Sequence, residues 1–375
     1  MMRVAIDGRL LDVRKTGGTQ YTCRLIAGMA DLSSDTELVV LRERSSPDLA
    51  SLGNVREICL PDARLGDEMW EQLRLPTVLR DLQPDVYFAP TSVLPMIRSC
   101  PMVSVVYDLG FLQHPEFYAP SLRGYLRKWL PAWVRRADAI VCLASSLRDD
   151  LADLVDVQRE RVHLVPGAPD EILRRPVGQA DLDEFCRSRQ LRHPFVLSLS
   201  SSEPNKNLPR LVAAFGQSRT GIEDQWQLVL AGPPGAAESQ VLEAISQLPH
   251  RESVVRLGYV PDEDLPALYQ ACDIFAFVSL FEGFGLPLLE AMAAGRTIMC
   301  SNVNPLTEIA GAAAVTVDPA SVDSIEGGLR ALMVDSTMRQ QLAERASDRA
   351  REFSWRRSSE ALLRLLRRAA QAEQG

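Results

Sequence analysis

Short apolar, β-branched runs separated by amphipathic stretches of helix length occur in this chain in two series, with a break at Pro166-Gly167-Ala168-Pro169. In the first series, Arg3–Ile6, Glu37–Leu41, Asp85–Phe88, Met102–Tyr107, Ala139–Leu143 and Arg161–Val165 predict strands, and 18–31, 68–82, 121–137 and 145–155 predict the helices between them. Strands that alternate with helices run parallel and are covered on both faces, which is the doubly wound α/β arrangement. The second series predicts strands at Phe195–Leu199, Gln227–Ala231, Val254–Leu257, Ile274–Val278 and Thr297–Ser301, with helices over 207–216, 236–248, 262–271 and 287–294. A Pro/Gly joint followed by a second such series predicts two Rossmann-like domains, 1–168 and 169–353. From about Asp323 the tail reads as helical to the end, its last helix over 354–375 with Ser354 as N-cap.

Length agrees, since 375 residues exceed one ordinary core and suit two of about 150 to 200 residues. With 46% hydrophobic and 24% charged residues the composition is globular, which excludes a wholly disordered, collagen-like or coiled-coil chain. The longest uncharged stretches fall short of the roughly 18 to 20 apolar residues of a membrane span, and the N-terminus lacks the apolar run of a signal peptide. A cytoplasmic protein is expected. Seven scattered cysteines without a CxxC pair read as reduced core residues, and the four histidines show no metal spacing, so no metal and no cofactor are expected. A net charge of −8 argues against nucleic acid as a partner. Only three of the 41 basic residues are lysines, namely Lys15, Lys128 and Lys206.

The most informative segment is FVSLFEGFGLPLLEAMAAG, residues 277–295, where a strand ends, a Gly-rich loop follows and Pro287 suits the first turn of a helix. Amides from Phe284 through Gly285 to Leu286 then point at the ligand side of the helix N-terminus, where they can hold a diphosphate oxygen without a metal. Glu282 and Glu290 frame the loop eight positions apart and can both accept hydrogen bonds from sugar hydroxyls. Two facing α/β domains gather the C-terminal ends of their sheets at one crevice, which suits a two-part substrate. An NAD enzyme is the first rival. Its GxGxxG fingerprint is absent from the first loop, DGRLLDVRKTGGTQY, and the only GxG, Gly283 and Gly285, runs on into Leu286-Pro287.

At residues 277–295 the chain resembles the retaining glycosyltransferases of family 4, whose E-x7-E signature is commonly written EGFGLPxxEAMA. The likeness extends over most of the chain. GGTQYTCRLIAGM is similar to the family's GG-x-x-x-Y loop, EPNKNLPRLVAAF to its EPRKNL segment, and GYVPDEDLPALYQACDIF to the stretch before the signature. The resemblance implies a GT-B fold, in which two Rossmann-like domains face across a cleft and the C-terminal helix, here FSWRRSSEALLRLLRRAA, crosses back to the N-terminal domain. It also implies roles. Glu290 is expected at the donor ribose, Glu282 at the donor sugar, Lys206 at the diphosphate, and Phe284, Gly285 and Leu286 as backbone donors. Gly17 and Gly18 are expected to bring backbone to the phosphates, and Asn205 to stand where relatives often carry a phosphate arginine. Where relatives often end a strand in His-Asp, this chain has Tyr107-Asp108, which leaves Asp108 as the catalytic or acceptor-binding candidate.

Each of these residues has a plainer reading. A Glu pair at helical spacing is a solvated face by default, Lys206 a surface residue, Gly17-Gly18 a turn and Asp108 a cap for the segment that follows. His114, in the loop after Asp108, is the one histidine placed near such a site. The segment 122–136, LRGYLRKWLPAWVRR, has five basic residues, no acidic ones and two tryptophans, so it reads either as a peripheral membrane contact or as a core-facing helix interrupted at Pro131. The YDLGFLQHPEFY segment and the EPxKN form look most like bacterial mannosyl- or rhamnosyltransferases of O-antigen or exopolysaccharide synthesis. A GDP-linked hexose donor and a glycan or lipid-linked glycan acceptor are thereby expected. A nucleotide-sugar epimerase and an inactive donor-binding subunit are the alternatives, the latter favoured by Tyr107.

Overall fold

The computed structural model describes residues 1–12, 16–44, 49, 51–60, 70–222 and 226–372. Lys15 and the first two positions of the helix expected over 68–82 lie outside the described residues. The chain divides into two compact units, one made of Met1–Gly167 with Ser354–Gly375, the other of Ala168–Phe353.

In the first unit β1 (Met2–Asp7), α1 (Gly17–Leu32), β2 (Thr36–Arg42), β3 (Val55–Cys59), α2 (Leu75–Leu82), β4 (Val86–Ala89), β5 (Met102–Val105), α3 (Gly110–Gln113), α4 (Pro120–Arg136), β6 (Ala139–Cys142), α5 (Ser145–Val155) and β7 (Val162–Leu164) follow one another. The seven strands are parallel and ordered β3-β2-β1-β4-β5-β6-β7. The chain reverses direction across the sheet between β1 and β4, and a crevice for ligands opens at the strand ends beside such a switch. Strands β4, β5 and β6 are buried along their whole length, which is why they read as continuous apolar runs. Edge strand β3, VREIC, is half exposed and mixes charge with apolar residues, so it left no such run.

Two expectations change here. The helix at 68–82 is described from a π turn over Trp70–Arg74 that continues into α2. Helix α4 runs unbroken through Pro131, although a proline there removes one backbone bond. Leu130, Trp133 and Val134 hold that part of α4 in the core, and burial outweighs the lost bond.

The second unit contains α6 (Gln179–Ser188), β8 (Phe195–Leu199), α7 (Leu208–Ser218), β9 (Gln227–Ala231), α8 (Glu238–Ser246), β10 (Val254–Gly258), α9 (Leu265–Ala271), β11 (Ile274–Phe277), α10 (Leu286–Ala293), β12 (Thr297–Ser301), α11 (Leu306–Ala310), β13 (Ala314–Val317), α12 (Val322–Val334) and α13 (Ser336–Ala350). Its six parallel strands are ordered β10-β9-β8-β11-β12-β13, with the switch between β8 and β11. The expected helical tail is three helices. Asp335 caps α13 by accepting from the Met338 amide at 2.8 Å, and α14 (Trp355–Ala372) belongs to the first unit.

Helix α14 buries Leu362, Leu363 and Leu366 and packs along α1. The approach is close: a Cβ on Gly28 would sit 2.2 Å from Ser359 Oγ, so α1 needs a glycine there. Ser358 Oγ donates to the Pro166 carbonyl at 2.7 Å, and the Trp355 and Tyr21 rings meet edge-on at 5.8 Å.

Candidate active site

The loops that leave β8 and β11 flank the switch point of the second sheet, and each delivers one charged side chain. Beyond β8 a tight turn over Pro204–Lys206 ends at Asn207, whose φ of 60° is left-handed. Beyond β11 the chain runs through Ser279 and Glu282 to Gly285. Lys206 Nζ lies 2.6 Å from Glu282 Oε1, with the two side chains 20% and 9% exposed. The ammonium also stands 5.6 Å from the centre of the Phe277 ring. The structure therefore brings together the two residues expected at the diphosphate and the sugar.

Two asparagines lace these loops to one another. The Leu280 amide donates to the Asn205 carbonyl at 2.7 Å, and Asn205 Nδ2 donates to the Phe281 carbonyl at 3.1 Å. Asn207 Nδ2 donates to the carbonyls of Val278 at 3.0 Å and Pro319 at 2.8 Å. Asn205, expected among the donor-binding residues, thus has its side chain engaged in holding the Glu282 loop. Ser301 Oγ, at the end of β12, fixes the same loop through the Ser279 carbonyl at 2.7 Å.

Gly285 caps α10 with φ 108°, and a Cβ there would lie 2.6 Å from Leu306 Cδ2, so both backbone and space demand glycine. Phe284 and Leu286 are buried on either side, Phe284 meeting Phe353 edge-on at 6.4 Å. Pro287 then sits in the first turn, where it forfeits no helical bond. The backbone at 284–286 is thereby pinned by its own side chains.

One turn into α10, Glu290 is 5% exposed and its Oε2 accepts from the hydroxyl of Tyr269 at 2.9 Å. Burial and the neighbouring carboxylate push the Tyr269 phenol well above its ordinary pKa, so it stays protonated as a donor. Tyr269 carries little sequence signal of this role, because ALYQA reads simply as a core-facing helical stretch.

In the first unit Gly17 and Gly18 open α1 behind the N-cap Thr16, whose side chain accepts from the Thr19 amide at 3.3 Å. A Cβ on Gly18 would lie 3.4 Å from Tyr107 Cζ, so the start of α1 and the segment after β5 meet. The Tyr107 hydroxyl donates to the Pro90 carbonyl at 3.0 Å, its ring meets Tyr21 edge-on at 5.9 Å, and burial raises its pKa. Asp108 Oδ1 accepts from the Gly110 amide and the Tyr118 hydroxyl, both at 2.8 Å, so its carboxylate is engaged with the segment that follows. His114 stacks on Phe117 and pairs with Glu116 at 3.4 Å. Among the described residues no group of three or more His, Cys, Asp and Glu side chains is placed to hold a metal ion.

Family descriptions match both halves of the chain: "Glycosyltransferase Family 4" over residues 15–171 and "Glycosyl transferases group 1" over 184–349. The O-antigen chain mannosyltransferase B of Escherichia coli is 32% identical over 281 residues, covering 74% of this chain and 72% of its own. A serotype-specific mannosyltransferase WbdA of Escherichia coli is 30% identical over 285 residues, 73% of this chain but 34% of its own length. This chain thus spans about a third of the WbdA relatives it matches. Among solved structures, Anabaena HepE in complex with UDP-glucose superposes with a TM-score of 0.78 at 17% identity, over 98% of this chain and 99% of its own. At that identity the likeness is one of fold.

Proposed function

Because this chain belongs to the family 4 glycosyltransferases, with the family's group 1 half at 184–349, we propose that it moves a mannose-type hexose from a GDP-linked donor to a hydroxyl of a glycan or lipid-linked glycan acceptor, with retention at the anomeric carbon. The observation that carries the reading is the Lys206–Glu282 pair, held at 2.6 Å by loops on either side of the switch point, the Glu282 loop leading into α10, which carries Glu290. The mannosyl donor and a role in O-antigen synthesis are supported by what the two Escherichia coli relatives are called.

In this reading Glu290 receives the ribose hydroxyls and the amides of Phe284, Gly285 and Leu286 receive phosphate oxygens. Glu282 orients the sugar. When the bond from C1 to the phosphate breaks, the leaving nucleoside diphosphate gains negative charge, and Lys206 stabilises that charge more than it stabilises the bound donor. The leaving phosphate oxygen takes the proton of the attacking hydroxyl, and the new bond forms on the face the phosphate leaves. No side-chain base is needed, so Tyr107 in place of histidine is compatible with turnover. From the first unit, Gly17 and Gly18 contribute phosphate-facing backbone and Asp108 binds the acceptor.

For a lipid-linked acceptor we further propose that α4 rests on the inner membrane surface. Arg127, Lys128 and Arg135 are exposed on it, a basic face on a chain of net charge −8. No helix among the described residues is long and apolar enough to cross a membrane.

A thermal-shift panel of GDP, UDP, ADP and dTDP tests the donor assignment. The largest rise is expected with GDP, and a response to UDP alone overturns it. The second reading, a donor-binding subunit without turnover, is favoured by the engagement of the Tyr107 hydroxyl with Pro90 and is excluded by product formation from the purified chain.

A further inference from the structure

Tyr269 is fully buried on α9, its ring 5.7 Å from that of Phe275 on β11. A buried phenol needs a partner for its hydroxyl. Here the hydroxyl donates to Glu290 Oε2, at 2.9 Å, and Glu290 is itself almost fully buried. Helix α9 leads into β11 and α10 follows its loop, so the bond ties together the two helices that flank, in chain order, β11 and the loop that carries Glu282.

A carboxylate taken from water is costly unless it is hydrogen-bonded, and a hydrogen bond to a charged acceptor is among the stronger ones. The phenol supplies that bond from a rigid ring with no entropy of its own left to lose. Its consequence is orientation, because a carboxylate with one oxygen tied cannot turn about its terminal bond. Hydroxyls arriving at such a group meet acceptors already in place, and ordering costs less on binding.

We infer that Tyr269 is a positioning residue for the donor's ribose, holding the Glu290 carboxylate in the orientation in which it receives the ribose hydroxyls. The inference rests on the assignment of Glu290 to the ribose. It separates Tyr269 from an ordinary core tyrosine by one property: removing its hydroxyl affects ligands that carry ribose hydroxyls and spares those that lack them.

The test compares the affinity of the folded protein for GDP and UDP with that for their 2′,3′-dideoxy forms, by calorimetry, in wild type, Tyr269→Phe, Glu290→Gln and the double variant. Wild type is expected to favour the better-bound ribose form by about tenfold or more. Tyr269→Phe is expected to cut that ratio at least threefold while leaving the dideoxy affinity unchanged, and the double variant to match Glu290→Gln. A loss of both affinities in parallel makes Tyr269 merely structural and overturns the inference, as does an unchanged ratio. A ratio that survives Glu290→Gln overturns the ribose assignment itself, and failure to bind either nucleotide overturns the donor reading. Should the phenylalanine variant not fold, 3-fluorotyrosine at 269 keeps the ring and strengthens the donor. It is expected to hold or raise the ratio, and a lowered ratio contradicts the inference.

Discussion

Lys206 Nζ and Glu282 Oε1 lie 2.6 Å apart across the switch point of the second sheet, joined through two loops that Asn205 and Asn207 fasten together. The pair is mostly withdrawn from water, so the ammonium has two jobs. It neutralises a carboxylate in the folded protein, and in the proposed reaction it meets a phosphate that grows more negative.

Those two jobs come apart on mutation. Lys206→Ala is expected to lower turnover about 10²-fold, the scale for removing one preorganised electrostatic contact. It also strands the Glu282 carboxylate and should cost about 1 to 3 kcal/mol of stability, read by urea unfolding. Adding Glu282→Gln should restore most of that stability and none of the activity. Full activity in Lys206→Ala would mean that another cation holds the diphosphate.

Gly285→Ala is a backbone test of the same loop. With φ at 108° and Leu306 Cδ2 2.6 Å from the new methyl, the substitution should cost about 2 to 4 kcal/mol of stability from strain and overpacking. Donor affinity should fall with it, because the amides of 284–286 lose their fixed direction. Leu306→Ala in the same chain relieves the clash but not the φ, and because Leu306 is fully buried it leaves a cavity of its own, so the pair should regain no stability over Gly285→Ala alone.

Much of this site is legible from residues 277–295 and Lys206, because strand end, glycine loop, Pro287 and two carboxylates at fixed spacing each leave a local mark. What is not legible depends on distant pairing. Tyr269 meets Glu290 across 21 positions, and Asn207 meets Val278 and Pro319 across 71 and 112. Among the elements, β3 and β13 escape notice because both are short edge strands with exposed positions, and α6 because its surface is almost wholly polar. Pro131 misleads in the opposite direction, its local cost being overridden by the core on either side.

The Cys186 side of the second unit supplies a prediction about pH. His193 Nδ1 faces Asp273 Oδ2 at 3.5 Å, and that hydrogen bond, against partial burial, raises the imidazole above its usual pKa. A raised pKa stabilises the fold fully below the unfolded value and loses that effect as pH rises through the folded one. The melting-temperature gap between wild type and His193→Gln should therefore be widest near pH 5.5 and close by about pH 8. A gap that widens with pH contradicts the pairing. His163 is lowered by burial and shifts both proteins alike, so it cancels in the difference.

Membrane contact through α4 predicts co-flotation with vesicles containing anionic phosphatidylglycerol, weakened by salt and absent with purely zwitterionic vesicles. Arg127→Glu with Lys128→Glu should abolish flotation and leave the nucleotide-induced thermal shift unchanged, since both side chains are exposed on the first unit. Equal binding to both vesicle types would remove α4 from the membrane.

The most direct measurement of the central claim is the anomeric configuration of the product, read by proton NMR after incubating the purified chain with GDP-α-mannose and an oligomannoside acceptor. An α-linked product is expected, formed by wild type and about 10²-fold more slowly by Lys206→Ala. A β-linked product, or a folded chain that neither transfers nor slowly hydrolyses any of the GDP-, UDP-, ADP- and dTDP-linked hexoses offered, would contradict it.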